Sequence, residues 1–209
     1  MDDVVLPLFP LNVVLFPGSA LPLHIFEERY RQLVRECLED RWREFGINFV
    51  DTNALSTIGC TAAVTEVVQR YEDGRLDIIV AGRRRYELHD VEEESAPYFL
   101  GHGAFLVDEP GEVDRTLAEE TIGLYNIFLA VVYKGRLPGL SSAHKGSDMS
   151  FVMAQKAGMP LQKRQKLLEL RSENLRLRLL REHFTLEMPK LKEATEVQRI
   201  VHNDGYIFP

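Results

Sequence analysis

The hydrophobic period of this chain changes once, at Glu109-Pro110-Gly111. Before that point apolar residues alternate with polar ones or form short runs broken by Pro and Gly; after it they recur every three or four positions. One regular element cannot satisfy both periods. Two structural units are therefore expected: a β-rich unit over 1–110 and an all-helical unit over 111–209. Charge divides the same way. Residues 1–110 hold 10 Lys+Arg against 20 Asp+Glu, net −10, with no lysine, whereas residues 111–209 hold 15 against 12, net +3.

Within the first unit, Val4–Pro10 and Leu11–Phe16 read as short strands interrupted by Pro7, Pro10, Pro17 and Pro22. Proline donates no N–H, so these runs belong at edges, kinks or strand ends. Pro17-Gly18 is a turn signal. Phe26, Tyr30, Leu33, Val34, Cys37 and Leu38 then form one helical stripe, predicting an inserted helix over about 26–40, with Glu27 and Glu28 in its first turn. Cys37 on that stripe reads as core filler. Trp42 reads equally as a surface anchor or as packing under the helix end. Phe45–Val50, Ile58–Thr65, Leu76–Val80, Arg83–Val91 and Pro97–Val107 read as strands, with a bulge at Val67-Val68. Glu72-Asp73-Gly74-Arg75 is the strongest hairpin signal in the chain.

In the second unit, Leu117, Thr121, Leu124, Phe128 and Val131 predict a helix. Residues 135–146 read as a loop. Ser147 or Asp148 caps a short helix over Met149–Ala157, closed by Gly158. Pro160 opens the next helix, Ser172 is positioned to split it, and Pro189 is expected to open a last one.

Most catalytic signatures are missing. There is no phosphate-binding loop, no G-x-S-x-G elbow, no H-E-x-x-H and no C-x-x-C. Two cysteines, Cys37 and Cys60, are too few for a disulfide framework or a structural zinc site. The six histidines show no i, i+4 pair; His24 and His102, with Asp90, are the one candidate catalytic grouping. In Arg83-Arg84-Arg85-Tyr86, strand alternation places Arg83 and Arg85 on one face and Arg84 and Tyr86 on the other. Such a cluster grips an anion or, more simply, pairs with the surrounding acids. Residues 163–181 offer a basic face (Lys163, Arg164, Lys166, Arg171, Arg176, Arg178, Arg181) for nucleic acid, solvent or an acidic neighbour. The acidic balance disfavours bulk nucleic-acid binding. No apolar run reaches the roughly 18–20 residues of a membrane span, and Met1-Asp2-Asp3 lacks a basic signal-peptide start. A reducing, cytoplasmic setting is expected.

The opening, Leu6-Pro7-Leu8-Phe9-Pro10-Leu11 followed by Val14-Leu15-Phe16-Pro17-Gly18, Leu21-Pro22-Leu23 and Glu27-Glu28-Arg29-Tyr30, resembles the start of the amino-terminal substrate-binding domain of Lon proteases. Gly82-Arg83-Arg84-Arg85-Tyr86 is similar to a strand of that domain. Ser150–Met153, Pro160-Leu161 and Lys166–Leu170 resemble its helical tail. The resemblance implies an α+β fold, a PUA-like β pseudo-barrel followed by an all-helical subdomain. It also implies a non-catalytic module for unfolded or extended polypeptide or a protein partner, such as a protease or chaperone, with no cofactor and no metal. No ATPase or protease motif is present, so a free-standing protein of this kind is expected, and ATP or casein hydrolysis is not.

The prolines leave strand groups unpaired, and an extended peptide binds through such edges. Phe9, Phe16, Leu21, Leu23 and Tyr86 are the candidate peptide-binding residues; the alternative for each is barrel core. An RNA-binding PUA-like module and a hydrolase with an unrecognised site are the alternative functions.

Overall fold

The computed structural model describes residues 3–52, 54–93, 96–141 and 148–203, except the side chains of 192 and 194–203. Ser147 and residues 142–146 of the 135–146 loop lie outside them. Six strands, β1 (Asp3–Pro7), β2 (Ala20–Ile25), β3 (Phe45–Asp51), β4 (Ala54–Arg70), β5 (Leu76–Glu92) and β6 (Leu100–Phe105), form one antiparallel sheet ordered β1-β6-β5-β4-β3, with β2 alongside β5. The sheet curls shut because the chain after β1 runs parallel to β3, bridging Leu8 to Gly46 and Leu11 to Phe49. Phe9 N–H donates to Gly46 O at 2.7 Å and Leu11 N–H to Asn48 O at 3.1 Å. Pro10 falls between these two donors, where its missing N–H is not needed. This is the expected α+β pseudo-barrel, and beyond Pro110 the regular elements are helices: α2 (Arg115–Val132), α3 (Met149–Lys156), α4 (Leu161–Glu169) and α5 (Glu173–Asn203).

The inserted helix, α1, spans Glu28–Leu38. Tyr30, Leu33 and Val34 are buried against the barrel core with Phe9, Phe45 and Ile78. The stripe is narrower than expected. Phe26 precedes the helix and is 61% exposed, and Leu38 at its end is exposed too. Trp42 packs under the helix end, its Nε1–H shared between Tyr98 Oη (2.9 Å) and Glu36 Oε2 (3.2 Å). Burial pushes both thiols, Cys37 and Cys60, up to about 12, so neither is a ready nucleophile.

The 71–75 hairpin has a tight turn, Gly74 N–H to Tyr71 O at 3.0 Å, then Gly74 at φ +84°, with Tyr71 N–H closing on Arg75 O at 3.0 Å. That is a turn followed by a left-handed bulge residue, the conformation expected of Asp-Gly. Gly74→Val is expected to lower stability by more than about 1 kcal/mol, because a β-branched residue is strained at that φ. A neutral result in chemical denaturation overturns the assignment.

Strand alternation fails at Arg83–Tyr86. Cys60 pairs with Arg85 but Ala62 pairs with Gly82, so β5 carries one extra residue there. Such a bulge places two successive side chains on similar paths. Arg85 and Tyr86 are both buried, while Arg83 and Arg84 are exposed. The Arg85 guanidinium is ion-paired with Asp108 and donates to Leu168 O and Leu170 O, each at 2.7 Å. It therefore caps the carbonyl end of α4, where a cation is favoured.

That contact bears on how the chain divides. By internal packing, one unit comprises Met1–Glu109 and Pro160–Arg171, and the other Pro110–Met159 and Ser172–Pro209. Pro160–Arg171, read from sequence as part of the helical subdomain, packs with the barrel residues. Besides Arg85, Gln165 Nε2 donates to Ile58 O at 3.0 Å and Arg164 Nη2 to Val14 O at 3.2 Å, and Leu167 and Leu168 are buried.

The second unit centres on Tyr125, Phe128 and Phe184, with Phe128 and Phe184 rings 5.3 Å apart. Asp114 caps α2 by accepting Leu117 N–H at 3.1 Å. Ser172 does separate α4 from α5. Pro189 does not break the chain: α5 is one helix through it. Proline removes the hydrogen bond to the carbonyl four residues back. Here that residue is Thr185, which is exposed on the helix surface.

Candidate functional site

β2 begins where the Phe16-Pro17-Gly18-Ser19 turn ends. Ser19 N–H closes the turn on Phe16 O at 3.1 Å, and the turn docks on β5 by Gly18 N–H to Gly82 O and Gly82 N–H to Ser19 O, both 2.9 Å. From there β2 runs antiparallel to the first part of β5, Ala20 opposite Ala81 through Ile25 opposite Leu76. Antiparallel pairs alternate between bonded and non-bonded. Because Ser19 and Gly82 are bonded, Leu21, Leu23 and Ile25 turn their main-chain groups toward β5. Ala20, Pro22 and His24 turn theirs away, and no strand of the described residues pairs with that side. Pro22 thus stands where its missing N–H breaks no ladder bond, the position proline takes on an edge strand.

The side chains follow the same alternation. Leu21 and Leu23 are half-buried against the barrel core, whereas Ala20, Pro22 and His24 are exposed. At the end of β2 the outer face carries three rings. His24 and Phe26 stack at 6.0 Å with 23° between planes, and His24 meets the edge of Tyr71 at 5.9 Å. Asp77 fixes two of them: His24 Nδ1 lies 2.6 Å from Oδ1, and Tyr71 Oη donates to Oδ2 at 2.7 Å. The hydrogen bond from His24, then that from Tyr71, holds Asp77 below the usual carboxylate range, so it is ionised at neutral pH.

The other candidate residues are placed differently. Phe9 stacks on Tyr30 at 3.9 Å inside the core. Phe16 is fully buried beneath the Arg164 guanidinium, 4.8 Å from its ring centroid. Tyr86 is buried, its hydroxyl bonded to Asn48. These three offer no surface to a peptide; only Leu21 and Leu23 of the five lie on the open strand. His24 and His102 are not brought together. They face Asp77 and Asp90, toward opposite ends of the 17-residue β5. Of the basic residues over 163–181, Arg176 is fully buried and Arg164 half-buried, so the seven do not share one solvated face. Sequence reading missed Phe26 and Tyr71 as surface groups, since helical spacing assigned Phe26 to a buried stripe. No helix of the described residues is long and apolar enough to cross a membrane.

Residues 5–185 match the family described as the ATP-dependent protease La (Lon) substrate-binding domain. The chain belongs to that family. Over 119 residues it is 32% identical to the Lon protease of Parabacteroides distasonis, covering 53% of this chain and 14% of that protein. Over 216 residues it is 24% identical to the Lon protease of Anaeromyxobacter dehalogenans, covering 96% of this chain and 25% of that protein. It therefore spans about a quarter or less of these relatives. Among solved structures, the Lon N-terminal domain protein from Xanthomonas campestris superposes with a TM-score of 0.67 at 22% identity, covering 85% of this chain and 96% of that one. The N-terminal domain of Mycobacterium avium complex Lon protease gives 0.66 at 18%, covering 87% and 98%. At these identities the structural likeness carries the fold.

The residues that carry the Lon resemblance have structural work in this chain. The Phe-Pro-Gly turn and Gly82 dock backbone to backbone, and Arg85 of the Gly-x-x-Arg stretch caps α4. One edge of β2 is paired by no strand of the described residues.

Proposed function

We propose that this chain is a non-catalytic polypeptide-recognition module that binds unfolded or extended protein segments along the open edge of β2. The supporting observation is the strand itself: Ala20, Pro22 and His24 present their main-chain groups outward, beside half-buried Leu21 and Leu23. An extended segment satisfies such an edge by adding a strand. Family membership supports substrate recognition as the role, and a protease or chaperone in the cytoplasm is the partner to which bound segments pass.

Pro22 removes one donor from the edge, and a bound segment must lose chain entropy, so affinity is low. An unfolded, carboxymethylated protein is expected to bind with Kd of roughly micromolar to millimolar. Binding should persist in raised salt, which screens main-chain pairing little. Ala20→Pro, which removes an outward donor at the first residue of the strand, should weaken binding several-fold with the thermal midpoint unchanged. A labelled single-stranded RNA and a panel of ester and peptide substrates run in parallel test the other two readings. RNA binding that collapses with salt, with no polypeptide binding, would replace this proposal.

A further inference from the structure

The rings at the end of β2 suggest which segments bind best, an inference that rests on strand addition at this edge. Phe26 is the most exposed of them, at 61%, and its outer surface faces solvent. His24 and Tyr71 beside it are held by one carboxylate, so the group is preorganised and not a loose surface cluster. Each Asp77 oxygen accepts one bond there and retains a further lone-pair site; the side chain is 33% exposed. The neighbouring cations are already paired, Arg29 with Glu27 at 2.8 Å and Arg75 with Asp73 at 2.7 Å.

The molecule repeatedly lays arginine on aromatic rings: Arg84 over Phe105 at 3.5 Å, Arg29 over Tyr30 at 4.6 Å and Arg75 over Tyr71 at 5.0 Å. The outer surface of Phe26, stacked on the His24 ring that an ionised Asp77 holds, has the same chemistry. A planar cation stacks on a ring face and donates bidentately to a carboxylate. Across an added strand, residues opposite Pro22 and His24 on the outer face come within side-chain reach of this shelf.

We propose that Phe26, His24 and Asp77 form a cation-accepting shelf that selects extended segments carrying an arginine in register with the end of β2. The charge of the first unit, residues 1–109 and 160–171 with 14 Lys+Arg against 21 Asp+Glu, net −7, favours the same partner at longer range.

The test uses two fluorescent peptides of Val and Thr that differ at one central position, arginine in one and its neutral isostere citrulline in the other. The full chain is expected to bind the arginine peptide roughly five- to ten-fold more tightly at low salt, the combined size of an exposed cation–π contact and an exposed ion pair. The preference should shrink as salt is raised, while citrulline-peptide binding stays constant. Phe26→Ser and Asp77→Asn should each reduce the preference and leave the citrulline peptide unaffected. Equal binding of the two peptides by the unmodified chain overturns the shelf while leaving strand addition standing. Failure of both peptides to bind, with the chain folded, overturns the strand-addition reading and the shelf with it. A preference that survives both substitutions shows that the cation is read elsewhere and also overturns the proposal.

Discussion

Gly82→Ala is expected to destabilise the first unit by about 3 kcal/mol or more, at the upper end of what overpacking costs. A methyl at Gly82 would stand 2.2 Å from Phe16 O, a main-chain oxygen. Neither side can retreat easily. Gly82 is bonded through both its N–H and its C=O to the 16–19 turn, and Phe16 is fully buried. Relief of the clash therefore means lifting the turn, and with it the start of β2, off β5. Urea denaturation followed by tryptophan fluorescence reads the loss, since Trp42 lies in the same unit. Gly123→Ala is the control, followed by far-ultraviolet circular dichroism because α2 belongs to the second unit. Gly123 is exposed on α2 with open space around it, so alanine there should stabilise by about 0.5–1 kcal/mol. If Gly82→Ala came within about 1 kcal/mol of the unmodified chain, the contact would not be rigid. The same substitution should abolish polypeptide binding along β2, because the strand's position depends on that turn.

The second large effect concerns Arg176. It is the largest fully buried side chain of the described residues, and its Nη2 lies 2.8 Å from Glu173 Oε2. Ser150 completes the network: its N–H reaches Glu173 at 2.8 Å, and its hydroxyl donates at 2.6 Å to the same carboxylate while accepting from Arg176 Nε at 2.8 Å. Arg176→Met would leave Glu173 as a buried carboxylate without its cation, a change that typically costs about 3–5 kcal/mol. The pH dependence identifies the mechanism. Burial raises the Glu173 carboxyl above its usual range, although Ser150 and Arg176 act against this. Removing Arg176 raises it further. A carboxyl raised in the folded state holds its proton where the unfolded chain has released it, so stability falls as pH rises through that window. The deficit of Arg176→Met should thus narrow as pH is lowered from 7 toward 5. A deficit independent of pH would mean that lost packing over Phe151, 4.5 Å away, dominates instead. Adding Glu173→Gln should recover much of the loss by removing the unpaired charge.

Arg176 also shows where sequence reading stops. It and Arg178 lie two residues apart on one helix, and by sequence both belong to a basic face; one is fully buried and the other exposed. Composition cannot separate them, because which side of α5 is covered depends on helices far away in sequence. The candidate site was legible only in part. The prolines of the opening indicated an unpaired edge, and Pro22 lies on one. The same argument could not say which apolar residues stay outside. Phe9 and Phe16 sit beside prolines as Leu21 and Leu23 do, yet they point into the barrel. Phe26 fits a helical stripe by spacing and stands in solvent because the helix begins two residues later. Tyr86 follows Arg85 into the interior through a bulge that alternation cannot foresee.

Local chemistry, by itself, determined which kind of element most segments form and several of the junctions between them. Period two before Glu109 and helical spacing after Pro110 divide strands from helices. Asp73-Gly74 sets its hairpin, and Asp114 and Ser172 begin their helices. These features depend on backbone preferences and side chains within a few residues of one another. Tertiary structure decided the rest: that Pro160–Arg171 packs with the barrel residues, that Arg85, read as an anion grip or a partner of nearby acids, also caps α4, and that β2 keeps one edge unpaired. Each depends on groups far apart in sequence, such as Arg164 with Val14, Arg85 with Leu168 and Ile25 with Leu76. Burial and hydrogen-bond satisfaction are properties of the assembled interior. A single segment therefore states which side chains can be buried, and the folded chain selects which of them are.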